Sequence, residues 1–351
     1  MSISSDSKTL SDSSPNLYWI PRLLRIFSWS MVGLTLLFLV NNYLIFWRGW
    51  PGPWNFFAHQ EWFGISALRS PLSDDAQTLG WIQTIILISL LTVIVIFVLK
   101  TTRRTLSEDS IILTRFAAYL TRACFWAVFI VGCVDIVISF LRVEDLLKPL
   151  FGDVMAVELG RSVFRGTYVH YPLIVLSFVI AFFVRGLGFT WLSLLVVIAE
   201  FQIVISRFVY SYEQAFMGDL VRMWYAALFL FASSYALITE GHVRVDVLYS
   251  RFKAKTQALS NAAGCVLLGI PLCWSILVTG MWGKGNSLNS PLLSFEVYQQ
   301  GFGMYTKYLM VGFLAVFAVC MLVQFMGYFL INTAELIGEE MKPDQQFQEK
   351  T

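Results

Sequence analysis

Residues 207 to 246 read RFVYSYEQAFMGDLVRMWYAALFLFASSYALITEGHVRVD. One apolar run ends at Arg207. A short polar link then carries Glu213 and Asp219, and a second apolar run extends from Met223 to Thr239, before the turn Gly241-His242-Val243-Arg244-Val245-Asp246. Charge here is confined to the links, and an uncharged helical run of about 17 to 25 residues is what a hydrocarbon core of roughly 30 Å requires. The stretch points to an all-α integral membrane protein.

The rest of the chain has the same texture. With 57% hydrophobic, 16% aromatic and 14% charged residues in 351, there is too little polar surface to coat a soluble globule of this size. Apolar runs occupy Ile26 to Trp47, Leu79 to Leu99, Ala123 to Leu141, Gly166 to Val184, Gly186 to Ser206, Thr256 to Gly283 and Tyr308 to Ala334, so about eight transmembrane helices are expected. The third run is preceded by a basic segment holding Lys100, Arg103, Arg104, Arg115 and Arg122. The Trp50-Pro51-Gly52-Pro53-Trp54 segment reads as an interfacial loop that a helix could not accommodate. Between Arg142 and Arg165, Val143, Leu146, Leu147, Leu150, Val154 and Val157 recur at three- and four-residue steps, the pattern of an interfacial amphipathic helix. Arg185, Gly186 and Gly188 make a tight hairpin between the fourth and fifth runs, and Pro271 kinks the seventh.

Several function classes are excluded by composition. A net charge of +2 without a dense basic patch speaks against nucleic acid. Cys124, Cys133, Cys265, Cys273 and Cys320 all lie in apolar runs, where thiols pack as small hydrophobes, and His59, His170 and His242 are far apart, so neither a metal site nor a cofactor is expected. No phosphate-binding loop and no nucleophile with its base is present, so no catalytic residue is assigned.

Lys and Arg number fifteen on the side of the N-terminus and ten on the other, which puts both termini in the cytoplasm. Gly241 suits a helix stop and Asp246 the cap of the next helix, followed by the stripe Val245, Leu248, Tyr249 and Phe252 backed by Arg251, Lys253 and Lys255, a lipid-facing segment. His242 and Arg244 belong to the same turn. Two carboxylates fall inside apolar runs, Asp135 and Glu200, and a charge at such depth costs about 2.5 to 3.5 kcal/mol unless it is paired, hydrated or neutralised. Either could serve a coupling ion or proton; a polar contact to a neighbouring helix or a partner subunit is the favoured reading, because ion paths assemble several such groups on broken helices. Arg207 shares a helix face with Glu200 but stands about 10 Å further along. Ala232, Ser233, Ser234 and Ala236 form a small-residue flank suited to close helix packing, of the kind a subunit presents to its partner.

The order of an Arg-Phe-Val-Tyr helix end, an acidic link and a Gly-His-Val-Arg-Val-Asp turn resembles the small membrane subunit of tripartite ATP-independent periplasmic (TRAP) transporters, over about residues 190 to 335. The resemblance implies a scaffold for a large membrane subunit that imports a small solute, often an organic acid, on a cation gradient, commonly sodium, after capture by a periplasmic binding protein. It implies residence in a bacterial inner membrane, among lipids. The expected division is a tail (1–19), a four-span extension (20–185), a four-span core (186–335) and a second tail (336–351). A self-sufficient transporter and a membrane-embedded enzyme stay as alternatives; the first needs an internal repeat and the second a ligand or nucleophile cluster, and neither is evident.

Overall fold

The computed structural model describes residues 19–68, 70–184, 189–238, 249–298 and 302–339. Among these residues the chain is an all-α bundle, and eight helical segments are long and apolar enough to cross a membrane. It is a multi-pass membrane protein.

The bundle is built around α4 (Leu106–Val143) and α13 (Lys307–Ile337), which run antiparallel and make the most extensive helix–helix contact among the described residues. At one end, the Glu339 carboxylate accepts from the backbone N–H groups of Leu106 and Ser107, at 3.1 and 3.2 Å, and so caps the start of α4. Further along, Ser110 Oγ donates to the Gly327 carbonyl at 2.7 Å. A Cβ on Gly327 would lie 2.9 Å from Thr114 Oγ1 and 3.3 Å from the Ser110 carbonyl, so the approach of the two helices depends on its absence. At the other end, the Tyr305 N–H donates to Asp135 at 2.9 Å.

α4 begins seventeen residues before the apolar run that announces it. Thr105 and Glu108 form a reciprocal capping box, and the acidic first turn suits the helix dipole. Charges that break the hydropathy pattern are accommodated: Asp109 is paired, Arg115 faces outward and Arg122 is half-buried.

Around this pair, α1 (Trp19–Arg48) packs on α3 (Asp74–Lys100) and α13, while α9 (Ala215–Ile238) packs on both α4 and α13. Of the small-residue flank of α9, Ser234 is buried within the chain, where it shares a hydrogen bond of 2.8 Å with Thr121 of α4, while Ala232, Ser233 and Ala236 are only half-buried. At Ser234 the neighbour is α4 of the same chain rather than a partner subunit. α8 (Phe189–Tyr210) contacts mainly α9 and is the least enclosed of the eight spans.

Two spans contain a wide helical turn just before a proline. Residues Arg165–His170 form a π-turn between α6 (Ser162–Phe164) and α7 (Tyr171–Phe183), ahead of Pro172, and residues Cys265–Gly269 form another between α10 (Ala254–Gly264) and α11 (Ile270–Met281), ahead of Pro271. A proline lacks the N–H of the regular ladder and crowds the carbonyl four residues earlier; the wider turn absorbs both. Pro271 therefore leads to a wide turn rather than a simple kink.

The Trp-Pro-Gly segment also differs from expectation. α2 (Gly52–His59) starts there, with Pro53 in its first turn, where a proline costs no hydrogen bond. The amphipathic segment is α5 (Leu147–Leu159), interrupted at Gly152 with φ 79°, and Leu150, Val154 and Val157 face outward. Tyr249–Arg251 is a single short turn, α12 (Asn289–Ser294) precedes α13, and the hairpin expected at Arg185, Gly186 and Gly188 lies outside the described residues.

Candidate functional site

A fully buried polar cluster joins α4, the π-turn and the start of α13. Asp135 is fully enclosed; Arg165 Nη1 donates to its Oδ1 at 2.9 Å, and His170 Nε2 stands 3.0 Å from the same oxygen. Oδ2 accepts from the Tyr305 N–H. With the imidazole proton on Nε2 facing the carboxylate, Nδ1 accepts from Tyr308 Oη at 2.8 Å. Arg165 also donates to the Leu159 carbonyl, at 2.8 and 3.0 Å, and to Ser139 Oγ at 3.1 Å. The guanidinium carbons of Arg165 and Arg142 stand 4.2 and 4.4 Å from the Tyr305 ring centre, and Arg142 donates to the Gly303 carbonyl at 2.7 Å.

The π-turn explains the convergence. Residues five apart on an α-helix are turned about 140° from each other, whereas a five-residue turn returns them to one face. Gly166 lets the turn sit against Phe295, whose ring a Cβ would meet at 2.2 Å. The cluster is closed and charge-compensated, so its chemistry is to hold α4, α7 and α13 in register rather than to bind a substrate.

Asp219, near the start of α9, accepts from the Met304 N–H at 3.0 Å and from Arg222 at 3.2 Å. Like Asp135, it ties the loop before α13 to the bundle. In the last turn of α8, Arg207 stands 3.3 Å from Glu213 of the link to α9, and Tyr212 of that link donates to Glu144 at 2.6 Å. Burial and then the Glu144 carboxylate push the Tyr212 phenol up to about 12.

A second cluster lies at the opposite end of the bundle. Arg25 Nε donates to Asp109 at 2.7 Å and its other nitrogens reach the Thr101 carbonyl and hydroxyl, both at 2.8 Å; Trp29 Nε1 adds a bond of 3.0 Å to Asp109. Sequence reasoning missed Arg25, Asp109, Arg165 and His170 as partners. Pro172, at a position that forces a wide turn through Arg165, was the available signal for two of them.

Glu200 is different. It lies midway along α8, faces outward among Val197, Phe201 and Val204, and has no hydrogen-bond or ionic partner among the described residues. Gly241, His242, Arg244 and Asp246 lie outside the described residues. No three metal-ligating side chains come together among the described residues, and all five cysteines are free thiols.

Residues 194–336 match the family model for the DctQ component of tripartite ATP-independent periplasmic transporters. This segment is similar to the DctQ component. It covers about two fifths of the chain, running from within α8 to the end of α13. No curated protein and no solved structure matches the chain. The DctQ segment holds Glu200, Arg207, Asp219, Tyr305 and Tyr308, whereas Asp135, Arg165 and His170 come from outside it. The Asp135 cluster is therefore a joint between the DctQ segment and the preceding helices.

Proposed function

We propose that the chain is the small membrane subunit of a TRAP importer and acts as a fixed scaffold for the large membrane subunit. The large subunit moves the solute, an organic acid handed over by a periplasmic binding protein, on a cation gradient such as sodium. The chain resides in a bacterial inner membrane with both termini in the cytoplasm, the side with more Lys and Arg.

The observation that carries this reading, beside the DctQ match, is the contrast between satisfied and unsatisfied charge. Asp135 and Asp219 are bonded within the chain, and Glu200 alone of the three has no partner among the described residues, on an apolar outward face. A carboxylate so exposed at mid-span is costly in lipid and is relieved by a donor on a neighbouring protein. The helix that carries it, α8, is the docking face for the large subunit. The α4 side of the DctQ segment is already covered by the chain's own extension.

Reconstitution tests the reading. Vesicles holding the chain alone give no gradient-driven uptake, and adding the large subunit and the binding protein restores it. Robust uptake by the isolated chain would overturn the scaffold role in favour of a self-sufficient transporter.

A further inference from the structure

A cavity of about 360 Å³ lies where α1 and α11 end and α2 begins. It is separate from the Asp135 cluster and from the α8 face. Phe38 and Ile45 of α1 and Met281 of α11 provide apolar wall, Trp54 and Trp282 stand at its side with ring centres 5.8 Å apart, and both indoles are more than half exposed. Tryptophans at the ends of spans mark headgroup depth, so the cavity opens at the boundary between acyl chains and headgroups.

Its polar lining is uncharged. Asn42 is buried and donates to the Met281 carbonyl at 2.6 Å, while its own side-chain oxygen takes no hydrogen bond from the described residues. Asn41 accepts from Gln83 at 3.0 Å, and its NH₂ group likewise has no acceptor there. Asn55 donates to the Pro51 carbonyl at 2.9 Å, and the Trp54 and Trp282 indoles bring further N–H groups, so a few uncharged donors and acceptors stand in a mostly apolar wall that offers no charge to an ion. The volume is in the range of a small-molecule site, about 300 to 1,000 Å³.

We propose that this cavity binds a bilayer phospholipid, with one acyl chain along Phe38 and Ile45 and the glycerol-ester region against Asn41 and Asn42. An ester carbonyl accepts from the Asn41 amide. Arg48, exposed and one turn beyond Ile45, stands on the headgroup side, where it meets the phosphate. The lipid then completes the packing of α2 against the ends of α1 and α11, two elements of which one precedes the DctQ segment and one belongs to it. The proposal does not depend on the transporter reading.

Photo-cross-linking tests it. The full chain is placed in vesicles of phosphatidylethanolamine and phosphatidylglycerol containing a trace of phospholipid with a diazirine in one acyl chain, irradiated, and mapped by peptide mass spectrometry. Labelling of residues 38–57 and 281–283 several-fold above that of α8 is expected. Ile45→Trp and, from another part of the wall, Phe38→Trp fill the cavity; each lowers labelling there several-fold and leaves α8 labelling unchanged. Even labelling over all outward faces of the native chain overturns the proposal, as does persistence of the enrichment in both variants. Displacement of the label by co-reconstituted large subunit would assign the cavity to a partner helix and also overturn it.

Discussion

Arg165 and His170, five residues apart on one span, meet the same carboxylate oxygen of Asp135 at 2.9 and 3.0 Å. A regular helix would turn one of them away; the wide turn before Pro172 brings both to α4. A buried pair of this kind is weak evidence for net stability, but losing one member strands the other. Arg165→Leu should therefore lower stability by about 3 to 5 kcal/mol in detergent unfolding. Asp135→Asn combined with Arg165→Leu should recover a large part of that loss, because no uncompensated charge is left. Equal loss in the single and double variants would show that the cluster acts through packing alone.

The joint between the extension and the DctQ segment gives a second expectation. A chain starting at residue 186 loses α4, and with it the Thr121 bond to Ser234, the Ser110 bond to Gly327 and the acceptor for the Tyr305 N–H. Size-exclusion chromatography and thermal unfolding should find it aggregated or unfolded, whereas co-expression with residues 1–185 should rescue it. In the full chain, Gly327→Ala forces α4 and α13 apart and should cost about 1 to 3 kcal/mol.

Glu200 separates scaffold from ion path. Docking through a polar contact predicts that Glu200→Gln assembles with the large subunit nearly as the native chain does, and that Glu200→Leu weakens the complex by about 0.6 to 2 kcal/mol in co-purification titrations. The chain alone should tolerate Glu200→Leu without loss of stability, since no partner among the described residues is removed. Altered cation dependence of uptake in an intact Glu200→Gln complex would place part of the ion path in this subunit.

Orientation is checked by single cysteines at Ser70, Ser287 and Ser250, all exposed, in a chain whose five native cysteines are replaced by Ala or Ser. An impermeant thiol reagent applied from the periplasm should modify the first two and spare the third. The reverse pattern would invert the topology.

Much of the membrane architecture was legible because lipid imposes a simple rule: a spanning segment must satisfy its own backbone, and only a long apolar helix does so here. The same rule misplaced the start of α4. Hydropathy treats Asp109 and Arg122 as breaks, while the helix carries them once Arg25 neutralises the first and the second is only half enclosed. The Trp-Pro-Gly segment misled for a related reason, since a proline that breaks a helix in its middle is tolerated in its first turn.

What the sequence determined by itself was the class of fold, about eight spans, and the resemblance of residues 190 to 335 to a TRAP small subunit, all of which rest on local composition and short spacing. Which charges meet was decided only by tertiary structure. Asp135 and Glu200 look alike in sequence, each a carboxylate in an apolar run, yet one is enclosed by Arg165, His170 and Tyr305 and the other faces outward with no partner among the described residues. The difference comes from the rotation of each helix about its axis and from the proline-linked turn opposite α4. Partners separated by 30 to 170 residues are brought together by packing, and no local pattern records them.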